Sequence, residues 1–84
     1  MIELTNREKE VMHLMCRGYS NPEIAQILCI TMFTAKAHVC SILKKLNAKN
    51  RILAVVKYIC LKYGIDTLLE ELQLNPQYEN RSEF

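Results

Sequence analysis

The sequence predicts an all-α domain of four helices with a short extra helix on its C-terminal side. Three observations point there. Helix-start residues recur ahead of apolar stretches, at Thr5, Ser20 or Asn21, Thr31 and Asn50. The apolar residues that follow recur at three- and four-residue spacing, and Gly18 and Gly64 stand where helices stop. At 84 residues the chain suits one compact domain. A domain of this size buries only about 60 to 70% of its unfolded surface, which leaves little room for a catalytic cleft. With 50% apolar and 24% charged residues the composition is that of a globular protein, so most of the chain is expected to fold.

Each element has its own signal. Thr5-Asn6-Arg7-Glu8 reads as a capping box, with Val11, Met12, Leu14 and Met15 behind it and Gly18 as the left-handed residue after the last turn, giving a first helix at about 6–17. Ser20-Asn21-Pro22-Glu23 offers a cap, a proline suited to the first turn and an acid at the positive helix end. Ile24, Ala25, Ile27 and Leu28 supply the apolar face of this second helix, over about 22–29. Thr31 caps a third helix, about 32–46, whose apolar stripe is Ala35, Val39, Ile42 and Leu46 at i, i+4, i+7, i+11. Asn50-Arg51 opens a fourth, Ile52 to Tyr63, which Gly64 ends. Asp66 can cap Thr67 to Leu72, and Pro76 stops that segment.

Charge divides the chain at Gly64. Residues 1–64 hold ten Lys/Arg against four Asp/Glu, a balance of +6, while residues 65–84 hold Arg81 against five acids, a balance of −4. This suggests a basic folded domain, 1–64, and an acidic extension, 65–84. No apolar run is long enough to span a bilayer and Met1 to Thr5 has no secretion pattern, so a cytoplasmic protein without a membrane partner is expected. Cys16, Cys29, Cys40 and Cys60 form no C-x-x-C pair and have no His cluster at zinc spacing; they read as small apolar residues, and no metal or cofactor is implied. Neither His13 nor His38 belongs to a nucleophile-and-carboxylate set, and there is no glycine-rich phosphate loop, so an enzyme is not expected.

The informative pair is the second and third helices. A helix of about eight residues, a short turn and a longer helix with a basic face is the helix-turn-helix geometry, which presents its second helix to the DNA major groove. The outward arc of the third helix carries Phe33, Lys36, Ala37, Cys40 and Lys44, with almost no acid near it. The residues Leu4-Thr5-x-Arg7-Glu8-x-Glu10-Val11, Gly18-Tyr19-Ser20-Asn21-x-Glu23-Ile24-Ala25, Thr34-Ala35-Lys36-x-His38-Val39 and Lys45-Leu46-x-Ala48-x-Asn50-Arg51 closely resemble the signature of the LuxR/GerE family of bacterial transcription regulators, over about residues 3–63.

That resemblance implies a four-helix domain that binds double-stranded DNA, regulates transcription and pairs through its fourth helix. Lys36, Ala37 and Cys40 would then face base edges. Lys36 has the donor suited to guanine, Ala37 fits a thymine methyl, and Cys40 brings only a weak thiol. Phosphate contacts would fall to Asn21, Thr34, His38, Lys44, Lys45 and Lys49. Plainer roles stand beside these: Asn21 and Thr34 as helix-end hydrogen bonders, His38 as a partly buried core residue, Lys44 and Lys45 as a solvated face. Arg51 is expected to pair internally with Glu10. Ala35 stands where the family has a β-branched residue, a loss of about 1 to 2 kcal/mol of packing unless Met32 or Phe33 fills the space.

If Ala54, Val55 and Tyr58 face inward, then Leu53, Val56 and Cys60 lie exposed on the other side and suit a homodimer interface. The alternative is that residues 65–74 fold back over them with Leu68, Leu69 and Leu72. A competing function is a protein-interaction module, in which the bundle and acidic tail bind a regulator or RNA polymerase. Because the signature starts almost at Met1, a stand-alone regulator or an excised effector domain is expected.

Overall fold

The computed structural model describes residues 3–64, and these form four α-helices: α1 (Asn6–Cys16), α2 (Asn21–Leu28), α3 (Met32–Lys45) and α4 (Arg51–Tyr63). The expected helix over 67–72, and with it the extension 65–84, lies outside the described residues. Thr5, Thr31 and Asn50 cap their helices as expected, and of the pair Ser20 and Asn21 it is Ser20 that caps α2. Thr5, Ser20, Thr31 and Asn50 each accept a hydrogen bond from the backbone N–H three residues on. The first two are full capping boxes, closed by Glu8 and Glu23.

The helix ends follow one pattern. After α1 the Gly18 N–H donates to the Met15 carbonyl and the Tyr19 N–H to the Leu14 carbonyl. After α2 the pairs are Cys29 to Gln26 and Ile30 to Ala25; after α3 they are Asn47 to Lys44 and Ala48 to Leu43. These are Schellman motifs, which need one left-handed residue. Gly18 (φ 90°), Cys29 (φ 56°) and Asn47 (φ 52°) supply it. Gly64 (φ 71°) ends α4 in the same left-handed region.

α3 packs against both α1 and α2, and α4 packs against α1 and α3. The stripe Ala35, Val39, Ile42 and Leu46 is buried along its whole length, beside Val11, Met12, Met15, Ile24, Ala25 and Ala54. Neither Met32 nor Phe33 fills the space next to Ala35, because both point into solvent. Ile27 also departs from expectation. It is 48% exposed, because α2 buries only Ile24 and Ala25 against the core and turns Ile27 toward α4, along a groove. Among the described residues no single helix is long and apolar enough to cross a membrane.

Candidate nucleic-acid interface

Between α2 and α3 the chain bends by 112° over Cys29, Ile30 and Thr31, within the range of a helix-turn-helix. Two local features fix the corner. Cys29 takes the left-handed conformation usually left to glycine, and Thr31 caps α3 by accepting from the Thr34 N–H at 3.0 Å. The Thr31 hydroxyl donates in turn to Thr34 Oγ1 at 2.9 Å. Thr34 is thus a helix-end hydrogen bonder, half-buried at the start of α3.

Burial of the apolar stripe leaves the opposite arc of α3 open. Phe33 (81% exposed), Lys36, Ala37, Cys40 and Lys44 all face solvent, and His38 is half-buried at the arc's edge. Lys49 is exposed in the segment joining α3 to α4. Among the described residues Lys36 and Lys44 join no ion pair, so both ammonium groups are presented outward beside a helix with no acid on that face.

Lys45 behaves differently from its neighbour. Its ammonium donates to Glu8 Oε1 at 2.8 Å, on a carboxylate that also accepts from the Ser41 hydroxyl at 2.6 Å and from the Thr5 N–H at 2.9 Å. Lys45 therefore closes a joint between the end of α3 and the start of α1, rather than standing free for an external anion. Glu8 is only 4% exposed. Burial pushes its carboxyl pKa up, but the hydrogen bonds from Lys45, Ser41 and Thr5, together with the Lys45 charge, outweigh burial and hold it at about 2.

Arg51 is internal, as expected, but not with Glu10, which instead pairs with Arg7 one turn away at 3.0 Å. From the head of α4 the Arg51 guanidinium reaches the start of α2, donating through Nη1 to Asn21 Oδ1 (2.7 Å) and through Nη2 to the Tyr19 carbonyl (2.8 Å). This sets the amide of Asn21. Its oxygen is engaged, and its Nδ2 remains as a donor at the N-terminal end of α2.

On α4, Leu53 and Val56 are half-buried, and Cys60, expected to be exposed, is 1% exposed. The outward line is instead Ile52 (74% exposed), Ile59 and Tyr63 (69%), at i, i+7, i+11. A helix turns about 100° per residue, so Cys60 is carried away from that line beside Ile59.

A sequence profile described as bacterial regulatory proteins, luxR family, matches residues 3–58. The chain belongs to the luxR family. Among its relatives this luxR-family chain is 41% identical over 58 residues to the transcriptional activator protein AnoR of Acinetobacter nosocomialis, covering 69% of the chain and 24% of AnoR. It is 39% identical over 56 residues to the nitrate/nitrite response regulator protein NarP of Escherichia coli K12, covering 67% and 26%. With the response regulator protein VraR of Staphylococcus aureus the identity is 49% over 53 residues, covering 63% and 25%. The chain spans about a quarter of the length of these curated relatives. Two features of this chain escaped the sequence reading: the Arg51 bridge to Asn21, which depends on where the packing of α4 on α1 and α3 places the head of α4, and the prominence of Phe33, whose only signal was its place on the non-core arc.

Proposed function

We propose that this chain binds double-stranded DNA with sequence preference and regulates transcription, α3 lying in the major groove. One observation carries the reading: the outward arc of α3 offers Lys36 and Lys44, unpaired among the described residues, beside Phe33, Ala37 and Cys40, at the end of a 112° helix-turn-helix corner. Lys36 addresses base edges, Ala37 and Phe33 make apolar contact with thymine methyls, and Cys40 adds little polar readout. Asn21 Nδ2, Thr34, His38, Lys44 and Lys49 hold the phosphates, with the N-terminal end of α2. Residues 1–64 act as the DNA-binding domain of a cytoplasmic regulator. Two copies pair through α4 by Leu53 and Val56, joined by Ile52; buried Cys60 has no part in that contact.

The deciding experiment replaces Lys36 and Lys44 together by glutamate. Neither side chain has an ion-pair partner among the described residues, so the fold is expected to be kept, and duplex affinity falls by roughly a hundredfold at low salt with a shallower salt dependence. Unchanged affinity in a folded double variant overturns the reading. Selection of bound sites from random duplexes reports the pairing as well, since a dimer on DNA selects two half-sites at fixed spacing.

A further inference from the structure

A groove of about 740 Å³ runs between the last turns of α1, α2 and α4, on a part of the molecule that the DNA-binding reading does not use. Its apolar surface comes from Ile27, Leu28, Ile59 and Tyr63, with Ile27 and Tyr63 well exposed. Its charged residues are Arg17 and Lys62 and one acid, Glu10, whose carboxylate is paired with Arg7. The Lys62 ammonium lies 5.8 Å from the Tyr58 ring centre and 5.9 Å from that of Tyr63, and among the described residues it meets no carboxylate. The lining is therefore largely apolar, with two cations against one acid that is already paired, which suits an acidic amphipathic segment.

Such a segment begins at the groove's own edge. Lys62 and Tyr63 line the groove, and Gly64 turns the backbone there into the left-handed region that reverses a chain after a helix. The next ten residues carry Ile65, Leu68, Leu69 and Leu72 at i, i+3, i+4, i+7, which is one apolar helical stripe. Asp66, Glu70 and Glu71 interleave it, and no cation follows before Arg81. Ten residues wound as a helix would span about 15 Å, short enough for such a stripe to reach along the groove from Gly64.

We propose that residues 65–74 of the same chain occupy this groove, with the leucines against Ile27, Ile59 and Tyr63 and the acids near Arg17 and Lys62. This would divide the outward line of α4. Its C-terminal half, with Ile59 and Tyr63, is covered by the chain itself, while Ile52 and Val56 are left for a second copy. The inference does not depend on DNA binding.

Cys16 lines the groove and serves as the reporter, while Cys29 and Cys40 are exposed elsewhere and serve as internal controls. In the full chain, iodoacetamide labelling followed by peptide mass analysis gives a rate for each thiol. Leu68→Asp with Leu69→Asp is expected to raise the Cys16 rate by about tenfold, as for a seated state favoured about ten to one, and to leave Cys29 and Cys40 unchanged. Ile27→Asp alters the groove from its other side at an already exposed position and is expected to do the same. Equal Cys16 rates in the parent and in both variants overturn the proposal. So does Cys16 protection in the parent that rises with protein concentration, because the occupant is then a second copy.

Discussion

At the head of α1 the Thr5 hydroxyl accepts from the Glu8 N–H at 3.1 Å and the Glu8 carboxylate from the Thr5 N–H at 2.9 Å. At the head of α2, Ser20 and Glu23 make the same exchange at 3.4 and 2.8 Å. In both boxes these hydrogen bonds help hold the carboxyl pKa below its ordinary value. The surroundings then separate them. Glu8 is buried and adds Ser41 and Lys45 from α3, whereas Glu23 is exposed and serves only its own helix. The same four-residue device is a joint between helices in one place and a local cap in the other. The exposed box also leaves Ser20, Pro22 and Glu23 open to solvent around half-buried Asn21, on the side proposed to meet phosphate.

Replacing the two acids in turn tests this contrast most strongly. Glu8→Gln weakens one buried acceptor set and leaves Lys45 unpaired, and it is expected to cost about 2 kcal/mol in urea unfolding. Lys45 is partly exposed and can turn to water, which keeps the loss below that of a fully buried pair. Glu23→Gln is expected to cost much less, and equal losses would erase the distinction. Acid adds a second reading of the same joint. The folded pKa of Glu8, about 2, lies below its ordinary 4.5, so its contribution is complete above pH 4.5 and is lost as pH falls from there toward 2. In Glu8→Gln the parent's extra decline over that window is expected to disappear.

A finer test compares two adjacent lysines. Lys44→Ala is expected to leave the unfolding midpoint unchanged and to reduce the slope of log affinity against log salt by about 1. Lys45→Ala is expected to lower the midpoint while leaving that slope close to the parent's. If the two substitutions act alike, the division between an outward and an inward lysine is wrong. The smallest effect concerns the corner. Cys29→Gly removes the left-handed penalty of a side chain and is expected to add up to about 1 kcal/mol of stability, reduced by the greater freedom of glycine in the unfolded chain.

Much of this architecture was legible because its signals are local. A hydroxyl or amide three residues ahead of an N–H is enough to start a helix, and Ala35, Val39, Ile42 and Leu46 declare a buried face by spacing alone. The helix ends were harder to read. Gly18 announces a left-handed residue, whereas Cys29 gives no such signal, and its conformation is imposed by the corner it closes. The candidate site was legible to the extent that it lies opposite the α3 stripe. Lys44 and Lys45 look equivalent in one dimension, and only the placement of α1 against α3 draws Lys45 to Glu8. Arg51 could be expected inside, but choosing Asn21 over Glu10 needed the three-dimensional placement of the head of α4 within side-chain reach of the start of α2. Cys60 was misplaced because the sequence could not say by how many degrees α4 is rolled on the bundle.

The Arg51 bridge ties two parts of the molecule that the chain itself keeps thirty residues apart. One planar guanidinium donates to both the Tyr19 carbonyl and the Asn21 amide oxygen, so the first turn of α4 braces the entry to α2. The head of α4 and the entry to α2 are thereby joined by a route that does not pass through α3.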